Sequence, residues 1–208
     1  MIKNYVWDFD GTLFDTYPAM VDGALQAMAA LGILADQETI YPIMKKFSTR
    51  QLIKEYQLPE EQFTPLFHRY EAASQKISKP FAGTQEVLRS LKSQGAKHFI
   101  LTHRLSTSTW GLLEQFDLTD LIEEVIGIDR NFPRKPAPDS LNHLIQRHQL
   151  KKSETIMIGD RRLDIEAGKN AGVLTCLYDI DHFLQDIPAD YVVDDLLKIL
   201  DIKEKAIK

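Results

Sequence analysis

The chain has one cysteine, Cys176, among 208 residues. A single thiol excludes an internal disulfide and any cysteine-based zinc cluster. It lies in the apolar run Val173-Leu174-Thr175-Cys176-Leu177 and reads as a core thiol, not a reactive one. No stretch approaches the roughly 20 apolar residues that a membrane helix needs. The amino terminus runs straight into a polar-flanked strand, without the pattern of a signal peptide. Positive charge is not in excess: 25 lysines and arginines face 30 acidic residues, and the net charge of −5 argues against a nucleic-acid binder. Two glycine-rich phosphate-binding patterns, G-x-x-x-x-G-K-[ST] and G-x-G-x-x-G, are missing. So are internal repeats and low-complexity tracts. What remains is an ordinary soluble composition, 44% hydrophobic and 26% charged, at a length that suits one domain or a core with a small insert. These features predict a globular protein of a reducing cytoplasm, with no membrane partner.

The stretch Tyr5-Val6-Trp7-Asp8-Phe9-Asp10-Gly11-Thr12-Leu13-Phe14-Asp15-Thr16 opens as a strand, because Ile2, Tyr5, Val6 and Trp7 suit a buried parallel strand. Alternate residues of an extended chain point to the same side, so Asp8 and Asp10 are expected to project together from its carboxyl end. Two close like charges hold a metal ion or keep a proton. Taken alone, the same residues also read as a strand ending in an Asx turn, with Gly11 allowing the sharp turn.

Helical spacing follows. One helix is expected from Thr16-Tyr17-Pro18 to Gly32, with proline in the first turn and glycine as the stop. Residues 36–79 predict further helices: about 37–46, then one opening at Ser48-Thr49-Arg50-Gln51 with capping-box spacing, then one after Pro59 carrying Phe63, Leu66, Phe67 and Tyr70. Beyond Lys79-Pro80-Phe81-Ala82-Gly83 the pattern alternates. Strands are expected at 98–102, 124–127, 155–159, 173–178 and 191–193, and helices at 84–94, 106–116, 139–148 and 162–170, with a final helix and a charged, frayed tail over 203–208. Strands separated by helical segments mean right-handed crossovers and a doubly wound parallel α/β sheet. In such sheets ligands bind outside the carboxyl ends of the strands.

Four strand ends carry chemistry. The first ends in Asp8-Phe9-Asp10-Gly11. The second ends in Thr102-His103-Arg104, a hydroxyl beside two potential cations. Beyond the third comes Arg134-Lys135-Pro136-Ala137-Pro138-Asp139. The fourth ends in Gly159-Asp160-Arg161-Arg162-Leu163-Asp164, where Asp164 lies one helical turn past Asp160. Each residue has a plain alternative alone: Lys135 as a solvated lysine, Thr102 as a β-branched strand residue, Asp160 as a helix cap. Jointly, the carboxylates suit Mg²⁺, and a divalent ion beside a lysine and a hydroxyl makes a phosphoryl site. Without a glycine-rich phosphate loop, an aspartate can take the phosphoryl group covalently.

In these motifs the chain resembles the haloacid dehalogenase superfamily of phosphohydrolases, in the branch with a helical cap inserted after the first motif. Within it the chain is similar to the phosphoglycolate phosphatase and β-phosphoglucomutase relatives. The resemblance implies a Rossmann-like core formed by residues 1–14 plus 81–208 and a helical cap over 15–80. It implies that Asp8 is the nucleophile and Asp10 the acid and base. Thr102 and Lys135 would hold phosphoryl oxygens. Asp8, the backbone carbonyl of Asp10, and Asp160 would bind Mg²⁺, with Asp164 supporting the metal shell. Gly11, Thr12, His103, Arg104, Lys46 and Arg50 complete the expected substrate-binding set. An aspartate at position 10 favours turnover by water or transfer to a second hydroxyl, and the D-x-D pair disfavours carbon–halogen cleavage.

His103-Arg104 and Arg161 depart from the small polar residues common at these places. They either add positive charge at the mouth, suiting a more anionic substrate, or point into solvent. The loop Lys45-Lys46-Phe47-Ser48-Thr49-Arg50 is the expected substrate-facing segment of the cap, with Lys45 read as solvated and Phe63, Phe67 and Tyr70 as cap packing. The reading is a Mg²⁺-dependent phosphatase acting on a small phosphorylated metabolite through an aspartyl-phosphate, as a monomer or homodimer. A phosphosugar mutase and a non-catalytic phosphate-binding protein on the same fold stand as alternatives.

Overall fold

A computed structural model of the chain describes residues 1–184 and 186–202; the expected frayed tail over 203–208 lies outside the described residues. The chain forms two compact units, Met1–Phe14 with Pro80–Lys208, and Asp15–Lys79.

The first unit is built on a six-stranded sheet, all of whose pairings are parallel. Its strands are β1 (Asn4–Trp7), β4 (Lys97–Leu101), β5 (Glu124–Ile126), β6 (Thr155–Gly159), β7 (Leu174–Tyr178) and β8 (Tyr191–Val193). Two short strands, β2 (Phe14–Asp15) and β3 (Lys79–Pro80), pair with each other where the chain passes between the units. The order β5-β4-β1-β6-β7-β8 puts β1 at the centre, with β4 on one side and β6 on the other. The strand order reverses there, which opens a crevice at the carboxyl ends. Trp7 is level with Ile100 and with Ile158. The residues that follow these strands therefore emerge at one height.

The strands are apolar on both faces because both faces are covered. Tyr5, Trp7, Ile100, Ile156, Ile158 and Cys176 pack on one side with Val87, Leu88 and Leu91 of α5 (Thr84–Ser93) and Leu113 of α6 (Ser106–Gln115). Val6, Phe99, Leu101 and Met157 pack on the other with Leu141 and Leu144 of α7 (Asp139–Arg147) and Ala171 of α8 (Arg162–Ala171). Each fully buried side chain of this kind contributes about 1.5–3 kcal/mol. A buried polar residue, His98, also lies inside the first layer. His98 accepts from Trp7 Nε1 at its Nδ1 (3.1 Å), and its Nε2 lies 3.1 Å from the Leu88 carbonyl. That pairing selects the neutral Nε2–H tautomer, and burial pushes the ring's pKa down to about 4. Cys176 is a buried free thiol, pushed by burial up to about 12.

The second unit is helical: α1 (Tyr17–Ala30), α2 (Gln37–Lys46), α3 (Thr49–Glu55) and α4 (Glu60–Ala73). Asp36 caps α2 by accepting from Thr39 N at 2.8 Å, and Ser48 caps α3 by accepting from Gln51 N at 3.1 Å. At Gly23 a Cβ would sit 2.7 Å from the Glu71 backbone nitrogen, so only glycine lets α1 lie this close to α4. Phe63 and Phe67 are buried and stacked at 5.9 Å, as packing residues. Lys45 is a correction: it is buried, not solvated, and its ammonium lies 4.9 Å from the Tyr17 ring centre. Its place beside Met44 turns it inward, and the ring face offers the charge a partner.

The expected final helix is a 3₁₀ segment, Leu196–Asp201, begun by Asp195 accepting from Leu197 N at 2.9 Å. Capping at that spacing favours the tighter turn.

Candidate active site

β1 ends at Trp7, and Asp8 N donates to the Ile158 carbonyl at 2.8 Å, which carries the parallel pairing one residue further. The chain then turns. Gly11 adopts φ 80°, a left-handed conformation that glycine accepts without steric cost, and its N–H donates to the Phe14 carbonyl at 2.8 Å. Thr12 is buried, and its hydroxyl donates to Asp160 Oδ1 at 3.4 Å. The structure thus uses Gly11 to build the turn and Thr12 to tie the first strand end to the fourth.

Asp8, Asp160 and Asp164 are all fully buried, and one carboxylate oxygen from each lies within 4.8 Å of the others. Lys135 reaches into this group from the loop before α7. Its ammonium lies 2.7 Å from Asp8 Oδ1, 2.6 Å from Asp164 Oδ1 and 2.9 Å from the Leu101 carbonyl. Burial alone would lower the lysine's pKa, but Asp164 and Asp8 outweigh it and hold Lys135 above its ordinary value. Asp8 is raised as well, which for an acid opposes the charged form. Burial, then repulsion from Asp164, pushes its carboxyl up to about 7, although Lys135 and Arg161 pull it down. One lysine therefore leaves the cluster short of positive charge. Asp8 Oδ2 is buried without a hydrogen-bond partner. Hard oxygen donors, a deficit of positive charge and an unsatisfied carboxylate oxygen fit a divalent cation.

Asp164 has a second task. As the third residue of α8 it accepts from Arg161 N at 3.1 Å, closing the helix start. Gly159 makes this possible: a Cβ there would lie 2.2 Å from Asp164 Cβ.

Thr102 is buried at the end of β4, and its hydroxyl accepts from Arg104 N at 3.0 Å. His103 is not a cation. Burial, reinforced by Lys135, Arg134 and Arg161, pushes its pKa down to about 2, so the ring is neutral. A small cavity of about 20 Å³ lies against Thr102, His103, Arg134, Lys135 and Ser140, room for about one water. Arg104 is directed inward. Its Nε and Nη2 each lie 2.9 Å from Asp10 Oδ1, and its Nη1 donates to Ser108 Oγ at 3.3 Å. Arg161 is directed inward too, with Nη2 3.7 Å from Asp8 Oδ2 and Nε 3.7 Å from Asp160 Oδ1.

The structure thus brings together Asp8, Asp10, Thr102, Arg104, Lys135, Asp160 and Asp164 at one edge of the sheet. Lys46 and Arg50 belong to the helical unit and are exposed, at the end of α2 and the start of α3. Three contributors were not among the expected site residues. The sequence leaves the direction of Arg161 open. Asp129 accepts from Ser106 N at 2.7 Å and fixes the start of α6. Gly127 allows the Arg104 and Asp129 loops to touch, since a Cβ there would lie 2.5 Å from the Arg104 carbonyl oxygen. An isolated glycine as the last residue of the expected strand 124–127 was the available signal for it.

This geometry agrees with what the chain is similar to. The profile of the haloacid dehalogenase-like hydrolases matches residues 5–178. A phosphoglycolate phosphatase of Vibrio cholerae serotype O1 is 31% identical over 97% of this chain and 96% of its own length. A pyrophosphatase of Halalkalibacterium halodurans is 28% identical over 97% of this chain and 96% of its own length. Among solved structures, a hydrolase from Streptococcus pneumoniae TIGR4 is 30% identical with a TM-score of 0.66, covering 97% of this chain and 99% of that one. A haloacid dehalogenase-like family hydrolase from Streptococcus pneumoniae shares the fold at a TM-score of 0.81 and 20% identity, covering 96% and 97%. No described helix is long and apolar enough to cross a membrane. With the profile spanning most of the sequence and the buried aspartate–lysine cluster at its strand ends, the chain belongs to the haloacid dehalogenase-like hydrolase family, among its phosphatases.

Proposed function

We propose that this enzyme hydrolyses a small phosphomonoester of the cytoplasm, phosphoglycolate being the leading candidate, with Asp8 as the nucleophile and Mg²⁺ as the metal. The observation that carries the reading is the buried group of Asp8, Asp160 and Asp164 around Lys135. The similarity to a phosphoglycolate phosphatase over nearly the whole length supports the substrate.

Asp8, Asp160 and the backbone carbonyl of Asp10 would hold the metal, which when bound offsets the negative charge of the carboxylates and the phosphoryl group. Asp164 steadies Lys135 and the start of α8. In the first step an Asp8 oxygen attacks phosphorus. The bond to the leaving oxygen breaks as the bond to Asp8 forms, and Asp10 gives that oxygen its proton. In the second step Asp10 takes a proton from water, the water oxygen attacks phosphorus, and phosphate leaves with Asp8 restored. Lys135 and Thr102 hold the phosphoryl oxygens while charge develops on them.

The test is release of phosphate from an aryl phosphate and from phosphoglycolate with Mg²⁺, for the wild type and for Asp8→Asn. Loss of the nucleophile should cut kcat by about 10⁴-fold or more. Equal rates in both would overturn the assignment of Asp8.

A further inference from the structure

We infer that Arg104 is a positioning residue for proton transfer at Asp10. It takes one carboxylate oxygen, Oδ1, and leaves the other, Oδ2, to exchange the proton with the leaving group and with water. The inference rests on the phosphatase reading above and deepens it by one residue.

The two side chains come from neighbouring strand ends, Asp10 from the turn after β1 and Arg104 from the loop after β4. Nε of Arg104 donates to Asp10 Oδ1 at 2.9 Å, and Nη2 lies 2.9 Å from the same oxygen. Both contacts thus fall on one oxygen. An arginine that spans both oxygens of a carboxylate needs both as acceptors, and a proton on either would break that pairing. Two donors on Oδ1 make no such demand. They suit the carboxylate, and they suit equally the neutral acid in which Oδ1 is the carbonyl oxygen and Oδ2 bears the hydrogen. Arg104 can therefore hold Asp10 in one orientation while it alternates between acid and base.

Arg104 is itself held. Its nitrogen donates to Thr102 Oγ1 at 3.0 Å, its carbonyl accepts from Ile128 N at 3.1 Å, and its Nη1 donates to Ser108 Oγ of α6 at 3.3 Å. The turn that carries Asp10 is closed by Gly11 N donating to the Phe14 carbonyl. Both side chains are largely withdrawn from solvent, 15% exposed for Arg104 and 14% for Asp10, which strengthens a hydrogen-bonded pair. In the first step Oδ2 gives its proton to the leaving oxygen as the phosphorus–oxygen bond breaks and the bond to Asp8 forms. In the second Oδ2 takes a proton from the attacking water as the bond to Asp8 breaks.

Leaving-group dependence separates this role from plain support of the fold. Nitrophenolate departs without a proton, whereas ethoxide needs one. Disappearance of radiolabelled nitrophenyl phosphate and ethyl phosphate is followed with Mg²⁺ and with enzyme in excess, for the wild type, Arg104→Met, Asp10→Asn and the double variant. The ratio of the ethyl to the nitrophenyl rate should fall by about tenfold or more in Arg104→Met. It should fall at least as far in Asp10→Asn, and adding Arg104→Met to that variant should lower it no further. A loss shared equally by the two esters, or a ratio lower in the double variant than in Asp10→Asn, overturns the inference. If Arg104→Met does not melt cooperatively, Arg104→Lys replaces it; one ammonium keeps the charge but not the pair of donors, and a ratio equal to that of the wild type overturns the inference. An active wild type whose ratio is kept in Arg104→Met overturns the role of Arg104 alone. A wild type that consumes neither ester overturns the phosphatase reading and this role with it.

Discussion

In the helical unit the buried residues are nearly all apolar: Tyr17, Val21, Ala24, Met28, Ile40, Met44, Leu52, Phe63 and Phe67 among them. Lys45 is its one buried charged residue among those described. In the sheet unit Asp8, Asp160, Asp164, Asp179 and Lys135 are all buried. Three of these carboxylates and the lysine form one cluster at the strand ends, while Asp179 accepts from the nitrogens of Phe183 and Leu184 and anchors the loop after β7. Withdrawing a charge from water costs several kcal/mol unless partners replace the solvent. The helical unit meets that cost once, with an aromatic face over a lysine stem. The sheet unit meets it repeatedly at one edge and leaves its cluster with too little positive charge. That imbalance is unfavourable for the protein alone and favourable for a bound cation. Burying charge in bulk is thus a mark of the candidate site's edge of the sheet, not of the chain as a whole.

Lys135→Gln should break this contrast most strongly. It leaves Asp8 and Asp164 without their ammonium, at a cost of about 3–5 kcal/mol in the metal-free protein. Phosphate release should fall by about 10²–10³-fold. Urea denaturation with and without Mg²⁺ checks the first effect, and the destabilisation should shrink when the metal is present. A variant as stable as the wild type without metal would show that the cluster does not depend on Lys135.

His98 sharpens the comparison, since it is a buried titratable group of the sheet unit that takes no part in the cluster. Its ring takes a proton near pH 6.5 when unfolded but only near 4 when folded. The unfolded state therefore binds more protons between those values. The stability that neutral His98 gives is present above pH 6.5 and declines as pH falls toward 4, by about 3 kcal/mol in all. Neutral His103 acts in the same direction, while the raised pKa of Asp8 acts in the opposite one. The difference between the wild-type and His98→Gln stability curves isolates the His98 part, and a difference that stays constant from pH 7 to 4.5 would refute it.

The smallest effect belongs to the helical unit. Lys45→Met keeps the stem and removes a buried charge held over a ring, and should change stability by about 1 kcal/mol or less. Chemical denaturation midpoints would check this. A loss as large as that of Lys135→Gln would show that the two units do not differ in how they treat buried charge.

Much of the fold was legible in the chain. Alternation of short apolar runs with amphipathic helices is a local pattern, and the strands lie within a residue or so of their expected places. Ser48 with Gln51, and Gly32 and Gly95 with their positive φ, mark helix ends through bonds that span only a few residues. The short strands β2 and β3 were not legible, because two residues carry no periodicity. The 3₁₀ form of the last helical segment was missed because the choice turns on a single cap.

For the candidate site, residue types at strand ends were enough to single out Asp8, Asp10, Thr102, Lys135, Asp160 and Asp164 as residues that would share one edge. A parallel sheet brings successive strand ends to one edge, so their convergence follows from order in the chain. The direction of a loop side chain does not follow in this way. Arg104 and Arg161 could have faced solvent, His103 could have been charged, and Lys45 could have been solvated. Each was decided by neighbours distant in sequence: Asp10 for Arg104, Asp8 for Arg161, the packing around His103, and Tyr17 for Lys45. The sequence by itself determined the elements, their order and the chemistry available at the sheet edge, because those rest on local periodicity and connectivity. Only the tertiary structure decided which charges face one another and which are neutral, because both depend on distance and burial that no local pattern encodes.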